Sequence, residues 1–434
     1  MSLKLHIPRN HSIELKYTFE VLLVEFLGLD IDIFISASKN IFIVIGNEKI
    51  FLESSFFSFR HLIAKESLPY KIEESTIEIG NVKFSPLSLY KGTIKTKDFN
   101  LNIDILGSTF FMLTRWEEYI NPVRDAHQRF SAKESIAYKY KFLERPIVNE
   151  YVELLWALLL KAGCTQQRKK KEYKLVPTHD VDRPFLFNSP IKNIRALGGF
   201  AKRRKWRELK DFVKYFVVKK DPWDTHSLFM DMSERAGVKS HFFFLPKGKA
   251  KQDGRYTFDD PRIQKLFKEI KNRGHHIGFH PSYHAYNDKT LFLKEKDQLE
   301  NAIGQEVISG RQHYLRFSFP ETWRIWNATG MKWDSTLSYA DCAGFRCGVC
   351  YPFPVFDVLN RQILSLFEKP LIAMEGTLIG YEGLDIEMAK SKIDRLKNQV
   401  KKYSGEFVFL YHNSAFFEDQ YHKISGDLLK KMYD

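Results

Sequence analysis

The sequence predicts an α/β protein of two domains, in which the second domain is a barrel of alternating strands and helices. The 434 residues exceed what one hydrophobic core usually organises. Strand-like and helical segments fill residues 1–165, and the polar run QQRKKKEY at 166–173 then makes a natural linker. From residue 173 onward strands and helices alternate, which is typical of parallel strands joined by helical crossovers.

The first domain, residues 1–165, is expected to be a smaller α/β domain. Its predicted strands are the apolar runs IDIFISA, NIFIVIGN, KIFLES, TIEIGNVKF and LNIDILG. Its predicted helices are FFMLTRWEEYI and VNEYVELLWALLLKAG. The sequence contains no Gly-rich phosphate loop and no cluster of metal-ligand residues in this region, so it assigns the domain no function.

In the second domain, residues 173–434, the predicted strands are YKLVP, HFFFLP, HIGFH and GEFVFLYH. The predicted helices between them include SLFMDMSERAGV, DPRIQKLFKEIKNRG, LFLKEKDQLENAIG and WRIWNATGM. The second of these helices is well marked, because Asp260 suits an N-cap, Pro261 suits the first helical position and Gly274 lies just past the end. The alternation predicts a closed or nearly closed barrel.

The net charge of +14 is concentrated in one segment, residues 191–220, which carries eleven Lys and Arg residues against two acidic ones. Apolar residues recur there at helical spacing, so we expect a basic amphipathic helix inserted in the second domain. Such a helix can lie on an anionic membrane surface, hold an anionic substrate or pack one face on its own domain. Nucleic acid is the weakest alternative, because no recognisable binding module accompanies the charge.

The chain is expected to be cytoplasmic. Its most apolar run near the N-terminus, residues 17–35, is interrupted by Glu20, Glu25, Asp30 and Asp32, which excludes a membrane span there. The N-terminus lacks the basic and apolar layout of a secretory signal. The basic helix adds the expectation of peripheral contact with the inner face of the membrane.

Three of the four cysteines, Cys342, Cys347 and Cys350, have the C-x4-C-x2-C spacing of a plant-type iron–sulfur loop. The fourth ligand should follow downstream, yet the only other cysteine, Cys164, lies far upstream. We therefore expect free thiols, as is usual in the cytosol.

Ionisable residues follow three predicted strands of the second domain. Asp180 and Asp182 follow the first of them in THDVD. His280 and His284 follow HIGF, and His412 follows FVFLY. In a βα barrel the carboxyl ends of the strands hold the active site, so these side chains are expected to converge at one rim.

The pair His280 and His284 predicts a metal site. We expect Pro281 to begin a helical turn that brings both imidazoles to the same side. Two imidazoles and one carboxylate can hold Zn²⁺ or another divalent ion, such as Co²⁺, Ni²⁺ or Mn²⁺, and leave positions open for water and substrate. Of Asp180 and Asp182, one can then bind the metal while the other takes a proton, and a distant histidine can protonate the leaving group. These groups suit metal-assisted amide hydrolysis.

Residues 173–434 resemble the polysaccharide deacetylases of the NodB homology type, carbohydrate esterase family four. THDVD resembles their first motif in its spaced form, which implies that Asp180 is the general base and Asp182 a metal ligand. HPSYH resembles their second motif, which implies that His280 and His284 are the other metal ligands. TFDD also spells the first motif, but it follows a polar stretch and reads better as a helix start, so THDVD is the favoured site.

The resemblance extends to three further motifs. Arg311 in RQHY is the nearest match to the arginine that orients the catalytic aspartate, with a histidine where the motif has proline, and Arg316 is its rival. LYH resembles the fifth motif, which implies that His412 is the general acid. The fourth motif, an acid that orients this histidine, has no clean match, and Glu375 or Asp334 can serve.

Substrate contacts are expected from the loops that follow. GFRCG is predicted to line the same cleft, which makes Arg346 a candidate substrate contact together with Arg316. Trp323, Tyr339 and Trp333 can stack on sugar faces, or they can pack in the core.

The resemblance implies a barrel of the NodB type, regular or distorted to seven strands, behind an N-terminal domain like the uncharacterised region that precedes such deacetylase domains. The implied function is metal-dependent removal of an acetyl group from an N-acetylated or O-acetylated sugar of a glycan or glycan precursor, in the bacterial branch linked with cell-surface polysaccharide synthesis. A cytoplasmic location favours a nucleotide-linked or lipid-linked precursor. The alternative is a catalytically silent carbohydrate-binding or scaffold protein that retains the barrel.

Overall fold

The structure is a computed structural model, and it describes residues 2–38, 40–58, 68–69, 72–186, 221–416 and 425–434. The segment 191–220, for which a basic helix is predicted, lies outside the described residues. Within the described ranges, no helix combines the length and the apolar character needed to cross a lipid bilayer.

We keep the names first domain and second domain for the described residues within 1–165 and 173–434. The first contains strands β1 (Leu3–Pro8), β2 (Ile31–Ser36), β3 (Ile41–Ile45), β4 (Glu48–Ser54), β5 (Glu73–Glu74), β6 (Ile77–Ile79), β7 (Val82–Phe84), β8 (Leu87–Ser88), β9 (Gly92–Lys95) and β10 (Asn100–Leu101). Six of them form a mixed sheet in the order β10-β9-β4-β3-β1-β2, in which only β1 and β2 are parallel. The alternation of β3, IFIVI, turns every second side chain into the core.

The described helices of the first domain are α1 (Ser12–Phe19), which continues as a π-helix over Glu20–Phe26, α2 (Ile105–Leu113), α3 (Trp116–Ile120), α4 (Ile136–Lys139) and α5 (Ile147–Lys161). The predicted strand LNIDILG is wrong beyond its first residue. The Asp104 carboxylate accepts a hydrogen bond from the Gly107 backbone N–H at 2.7 Å, so it caps a helix where the strand was expected.

The second domain contains strands β11 (Lys174–Val181), β12 (His241–Phe244), β13 (His276–Phe279), β14 (Ser309–Gly310), β15 (Trp333–Asp334), β16 (Phe353–Asp357), β17 (Gln362–Glu368), β18 (Ala373–Met374) and β19 (Glu406–Leu410). They form one sheet in the order β16-β17-β15-β14-β13-β12-β11-β19-β18. Every neighbouring pair is parallel except β16 and β17. The carboxyl ends of the parallel strands therefore share one edge of the sheet.

The sheet of the second domain is not closed by hydrogen bonds among the described residues, in contrast to the predicted barrel. Its edges are β16 and β18. The edge strand β16 turns back on β17 and contacts the first domain, where the Tyr17 hydroxyl donates to the Pro354 carbonyl oxygen at 2.9 Å. The first domain thus packs at the edge that a barrel would use to close.

Helices of the second domain within the described residues are α6 (His226–Arg235), α7 (Pro261–Asn272), α8 (Lys289–Ile303), α9 (Glu321–Ala328), α10 (Ile386–Lys402) and α11 (Ser425–Tyr433). The alternative motif TFDD begins α7, as its composition predicts. Asp260 is the N-cap, since its carboxylate accepts from the Arg262 backbone N–H at 2.9 Å, and the neighbouring Asp259 is exposed.

A buried group of four charged side chains and one tyrosine joins the two domains; we call it the interdomain ion cluster (Arg115, Glu117, Glu118, Tyr339 and Arg346). The Tyr339 hydroxyl accepts a hydrogen bond from Arg115 Nη2 at 3.0 Å. Arg115 donates through Nε to Glu118 and through Nη2 to Glu117, both at 2.7 Å. Arg346 donates to both carboxylate oxygens of Glu118, at 2.9 and 2.5 Å. Each charge therefore has a partner of opposite sign, which is the condition for burying it.

Candidate active site

The candidate active site lies at the carboxyl edge of the parallel sheet. Asp180 is the penultimate residue of strand β11, and Asp182 follows that strand directly. His280 follows β13, Arg311 follows β14, and His412 follows β19 by two residues. Five side chains from distant parts of the sequence are thus delivered to one end of neighbouring strands, as the alternation of strands and helices predicts.

Close approach of β13 and β14 depends on Gly310. A Cβ atom at this position would overlap the carbonyl oxygen of Phe279 in the neighbouring strand. The missing side chain lets Arg311, the next residue, donate its backbone N–H to Phe279 at 3.0 Å. His280 and Arg311 are therefore brought side by side.

Asp182, His280 and His313 form a group that could hold a metal ion; we call it the metal group. One ligand atom from each lies within 4.8 Å of the others. Asp182 Oδ1 is 3.2 Å from His280 Nε2 and 3.6 Å from His313 Nε2. No other group of three or more possible metal ligands was found among the described residues. The four cysteines are free and lie outside the group.

The tautomer of His280 suits a metal ligand. Its Nδ1 lies 2.6 Å from the Arg311 carbonyl oxygen. Because a carbonyl oxygen only accepts, Nδ1 carries a proton, so Nε2, which faces Asp182, is the nitrogen that a metal ion would bind in place of a proton. Asp182 Oδ1 is buried and has no hydrogen-bond partner in the described part of the chain. One carboxylate oxygen and two imidazole nitrogens are donors that Zn²⁺ and similar ions accept.

His313 has an acidic neighbour, Asp253, which the sequence analysis missed. Its Nδ1 is 3.4 Å from Asp253 Oδ1. Asp253 is 1% exposed and is itself held by the backbone N–H groups of Tyr283 and Ala250, both at 2.8 Å. A carboxylate behind a ligating imidazole is the usual way to orient it. Asp253 ends the polar run KGKAKQD, and no local pattern marks it.

The prediction that His284 joins the metal site is wrong, because its side chain is exposed. Pro281 does not begin a helical turn. Instead the Ser282 and Tyr283 N–H groups donate to Glu295 and Asp253, at 2.9 and 2.8 Å. A turn follows, in which the Ala285 N–H donates to the Ser282 carbonyl oxygen at 2.9 Å. The third place in the metal group is taken by His313, the histidine that replaces proline in RQHY. This departure from the motif was the signal available in the sequence.

Asp180 and Arg311 form a buried ion pair. Arg311 Nη1 donates to Asp180 Oδ1 at 2.9 Å, while Nε and Nη2 donate to the carbonyl and hydroxyl oxygens of Ser335, at 2.8 and 3.0 Å. Arg311 is fully buried. Asp180 Oδ2 lies 3.7 Å from His280 Nε2, on the side of the metal group. The arginine therefore fixes one oxygen of this carboxylate and leaves the other facing the site.

His412 and Glu375 form a second pair. His412 Nδ1 is 2.5 Å from Glu375 Oε1, and its Nε2 is 3.9 Å from Asp182 Oδ2. Burial lowers the pKa of His412, but Glu375 and Asp182 raise it more, to about 10. Asp334, the other acid considered for this role, instead accepts from the backbone N–H of Thr336 at 3.0 Å. Of the two candidates, only Glu375 contacts the histidine.

The four predicted substrate contacts do not line the site. Trp323 and Tyr339 are core residues, 0% and 1% exposed, and Arg346 is 2% exposed in the interdomain ion cluster. Arg316 is held between the rings of Tyr283 and Tyr286, each 3.9 Å from its guanidinium. None of the four lines the cavity that contains Asp180, Asp182 and His412, so the structure does not place them for contact with a ligand there.

A cavity of about 450 Å³ opens over the site. It is lined by the catalytic candidates and by residues that the sequence analysis did not single out, namely Arg129, Tyr314, Leu315, Ala340, Met374, Tyr381, Leu410, Ser414 and Ala415. Tyr314 and Tyr381 are 36% and 52% exposed. Arg129 belongs to the first domain, for which no role in chemistry was expected.

A family of unknown function, DUF7033, matches residues 3–163. No curated protein matched the sequence of this chain.

Solved structures of polysaccharide deacetylases resemble this chain at a coarse level. A putative polysaccharide deacetylase from Mycobacterium smegmatis is 15% identical, with 61% of this chain and 85% of that chain covered and a TM-score of 0.39. A probable polysaccharide deacetylase from Pseudomonas aeruginosa PAO1 is 12% identical, with 60% and 83% covered and a TM-score of 0.34. A CE4 family pseudoenzyme from Bacillus anthracis is 10% identical, with 60% of each chain covered and a TM-score of 0.30. These similarities assign no activity.

Proposed function

We propose that this protein is a metal-dependent hydrolase that removes an acetyl group from an N-acetylated or O-acetylated sugar of a glycan or glycan precursor. The observation that carries the proposal is the grouping of Asp182, His280 and His313 in one cavity, with an arginine-held carboxylate on one side and a glutamate-held histidine on the other. A metal group, a proton acceptor and a proton donor are the three parts that hydrolysis of an amide or ester requires.

Asp182, His280 and His313 would hold the cation, which is Zn²⁺ or another divalent ion such as Co²⁺, Ni²⁺ or Mn²⁺. Bound there, such an ion would supply an acidified water and a polarised acyl carbonyl. Although burial raises the pKa of Asp182, the neighbouring His313 and His280 hold it well below its usual range, so this carboxylate is ionised and ready to act as a ligand. Asp253 would keep the His313 ring in place.

Asp180 would act as the general base. Arg311 holds Oδ1, so Oδ2 is the oxygen that would accept the proton of the attacking water. The same ion pair, with Ser335 fixing the guanidinium, restricts the carboxylate to one orientation. Positioning of this kind makes proton transfer efficient because the acceptor needs no reorganisation.

His412 would act as the general acid. Glu375 accepts the Nδ1 proton, which leaves the Nε2 proton of the imidazolium toward the cavity. The raised pKa of about 10 keeps the ring protonated at neutral pH. It would deliver this proton to the leaving amine or hydroxyl, which would otherwise depart as an unstable anion.

The direct test is release of acetate from N-acetylated chitooligosaccharides and O-acetylated glycans by the Zn²⁺-loaded protein. Replacing the base, Asp180→Asn, should lower the rate by about 10²–10⁴-fold while metal still binds. Asp259→Asn is the matched control, because this exposed aspartate belongs to the competing TFDD sequence and should leave the rate unchanged.

Two outcomes would contradict the proposal. One is an unaltered rate in Asp180→Asn, which would place the base elsewhere. The other is stoichiometric metal with no acetate from either substrate class, which would support the carbohydrate-binding alternative instead.

A cytoplasmic enzyme with this activity would act on a nucleotide-linked or lipid-linked precursor, and we propose that the basic segment 191–220 meets the lipid phosphates. Binding to anionic liposomes should then weaken as salt rises. Replacing the four basic residues 202–205 by glutamine should weaken it further. Liposome binding that is indifferent to both changes would remove the membrane part of the proposal.

A further inference from the structure

The first domain reaches the candidate active site through a single turn, residues 125–129. Arg129, at the end of this turn, lines the same cavity as Asp180, Asp182 and His412. Arg129 is 7% exposed, so its side chain is packed in the wall of the cavity and does not extend into solvent.

The turn that carries Arg129 is organised by Asp125. Its carboxylate accepts from the backbone N–H groups of His127 and Arg129, at 2.8 and 2.9 Å, and from Arg129 Nε at 2.8 Å. The turn is anchored on the second domain because Arg316 Nε donates to the His127 carbonyl oxygen at 2.8 Å. Arg316, predicted to contact substrate, thus holds the segment that carries Arg129.

The guanidinium of Arg129, which lines the cavity, keeps hydrogen-bonding capacity. Of its five N–H groups, Nε serves Asp125, one on Nη1 serves the Tyr314 carbonyl oxygen at 3.2 Å, and one on Nη2 serves the Tyr381 hydroxyl at 3.2 Å. One N–H on each terminal nitrogen has no partner among the described residues. Such a fork matches the two oxygens of a carboxylate or phosphate.

The surroundings of Arg129 suit a sugar that carries a negative charge. The Tyr381 ring lies 5.5 Å from the guanidinium, and the partly exposed Tyr314 lines the same cavity. Aromatic faces of this kind pack against sugar C–H groups. Arg129 pairs with Asp125, as the other charges of the cavity pair with opposite partners or belong to the metal group, but it differs from them in the two N–H groups that have no partner among the described residues. Arg129 is therefore the charge in this wall with capacity left for a ligand.

We propose that Arg129, from the first domain, is a substrate-binding residue that selects acetylated sugars bearing a carboxylate or phosphate group. The inference rests on the proposed function and adds the substrate class to it. It gives the first domain a direct part in specificity, because the residue comes from outside the barrel-like domain.

Binding without turnover tests this inference separately from the activity. The probes are N-acetylglucosamine, N-acetylglucosamine 1-phosphate and a disaccharide of N-acetylglucosamine with glucuronic acid, titrated calorimetrically into chelator-treated protein. Chelation prevents the phosphate from simply binding the metal. The wild type should bind at least one charged probe about tenfold or more tightly than the neutral sugar, and the stronger of the two identifies the anion.

Arg129→Gln should abolish this preference without changing affinity for the neutral sugar. Arg129→Lys should keep part of it, because the charge remains and the fork is lost. Lys133→Gln is the matched control, an exposed cation four residues along the same segment. If Arg129→Gln does not fold, two other results test the inference. They are the preference of Arg129→Lys for the charged probe, and the weakening of the wild-type affinity for that probe as salt rises. Equal affinity for charged and neutral probes, or a preference that survives in Arg129→Gln, would overturn the inference even if acetate release is observed.

Discussion

The interdomain ion cluster is buried and the metal group is largely so, with Asp182 partly exposed, yet the two differ more in how their atoms are partnered. In the former, Arg115, Glu118 and Arg346 close a set of short ion pairs. In the latter, Asp182 Oδ1 and His313 Nδ1 are buried without a well-formed hydrogen bond to any described residue. The comparison teaches that buried charge with every partner supplied joins the two domains, whereas polar atoms left without a partner mark the place where we propose that a cation binds.

The same difference explains why Arg346 was misread as a substrate contact. A basic residue in a cysteine- and glycine-rich loop near an active site is a reasonable ligand candidate on sequence grounds. Its guanidinium is consumed by Glu118, which comes from the other domain. No pattern within GFRCG could reveal that partner.

The largest effect is expected from breaking the interdomain ion cluster. Glu118→Ala leaves Arg115 and Arg346 buried without their shared partner, which should lower the free energy of unfolding by about 3–5 kcal/mol. Urea denaturation measures this change. Glu134→Ala, which removes an exposed carboxylate paired with Lys139, should cost less than about 1 kcal/mol. Equal losses in the two variants would mean that the cluster is not a structural joint.

Breaking the metal group should have the opposite signature. His313→Ala is expected to weaken Zn²⁺ binding by more than about 100-fold, since it removes a ligand and not merely a supporting contact. The apo protein should lose less stability to urea than Glu118→Ala does, because removal of the buried ring leaves a cavity but strands no arginine pair. Chelator competition measures the affinity, and His284→Ala, at the exposed histidine, should bind normally. Weakening in His284→Ala but not in His313→Ala would reverse the assignment.

A smaller effect is expected at Asp253, which orients His313. Asp253→Asn keeps the size of the side chain and an acceptor for the backbone N–H groups of Ala250 and Tyr283, but removes the charge. Metal affinity should fall by about 10–100-fold, less than in His313→Ala. An unchanged dissociation constant would show that His313 does not need this neighbour.

The smallest effect concerns pH. Burial raises the pKa of Glu118, but Arg346 and Arg115 lower it more, to about 2, against an ordinary value of 4.5. Because the folded pKa is depressed, the stability from this carboxylate is fully present above about pH 4.5 and is lost as pH falls through about 2. Glu118→Gln should therefore flatten the fall in unfolding free energy between about pH 5 and 2. A slope identical to that of the wild type would contradict the pairing.

Much of the site was predictable because strand ends are visible in the sequence. The apolar runs before THDVD, HPSYH and LYH mark the strands, and parallel strands bring their carboxyl ends to one edge. Asp180, Asp182, His280 and His412 were assigned to the rim on this ground, and the structure places them there. Asp260 was likewise readable as a helix cap from its neighbours alone.

The sequence by itself determined many of the strands and helices and which side chains leave those strands at the rim, because periodicity and capping act over a few residues. It did not mark the short strands β14, β15 and β18 or the helix that Asp104 caps. Only the tertiary structure decided which histidine turns inward, which arginine is consumed by a partner and which domain completes the wall. His313 rather than His284, and Arg129 rather than Arg346, face the cavity because Asp253, Glu295 and Glu118 bind the competing loops from far along the chain. Contacts between distant segments leave no local pattern, so the direction of a loop side chain is settled only when the chain packs.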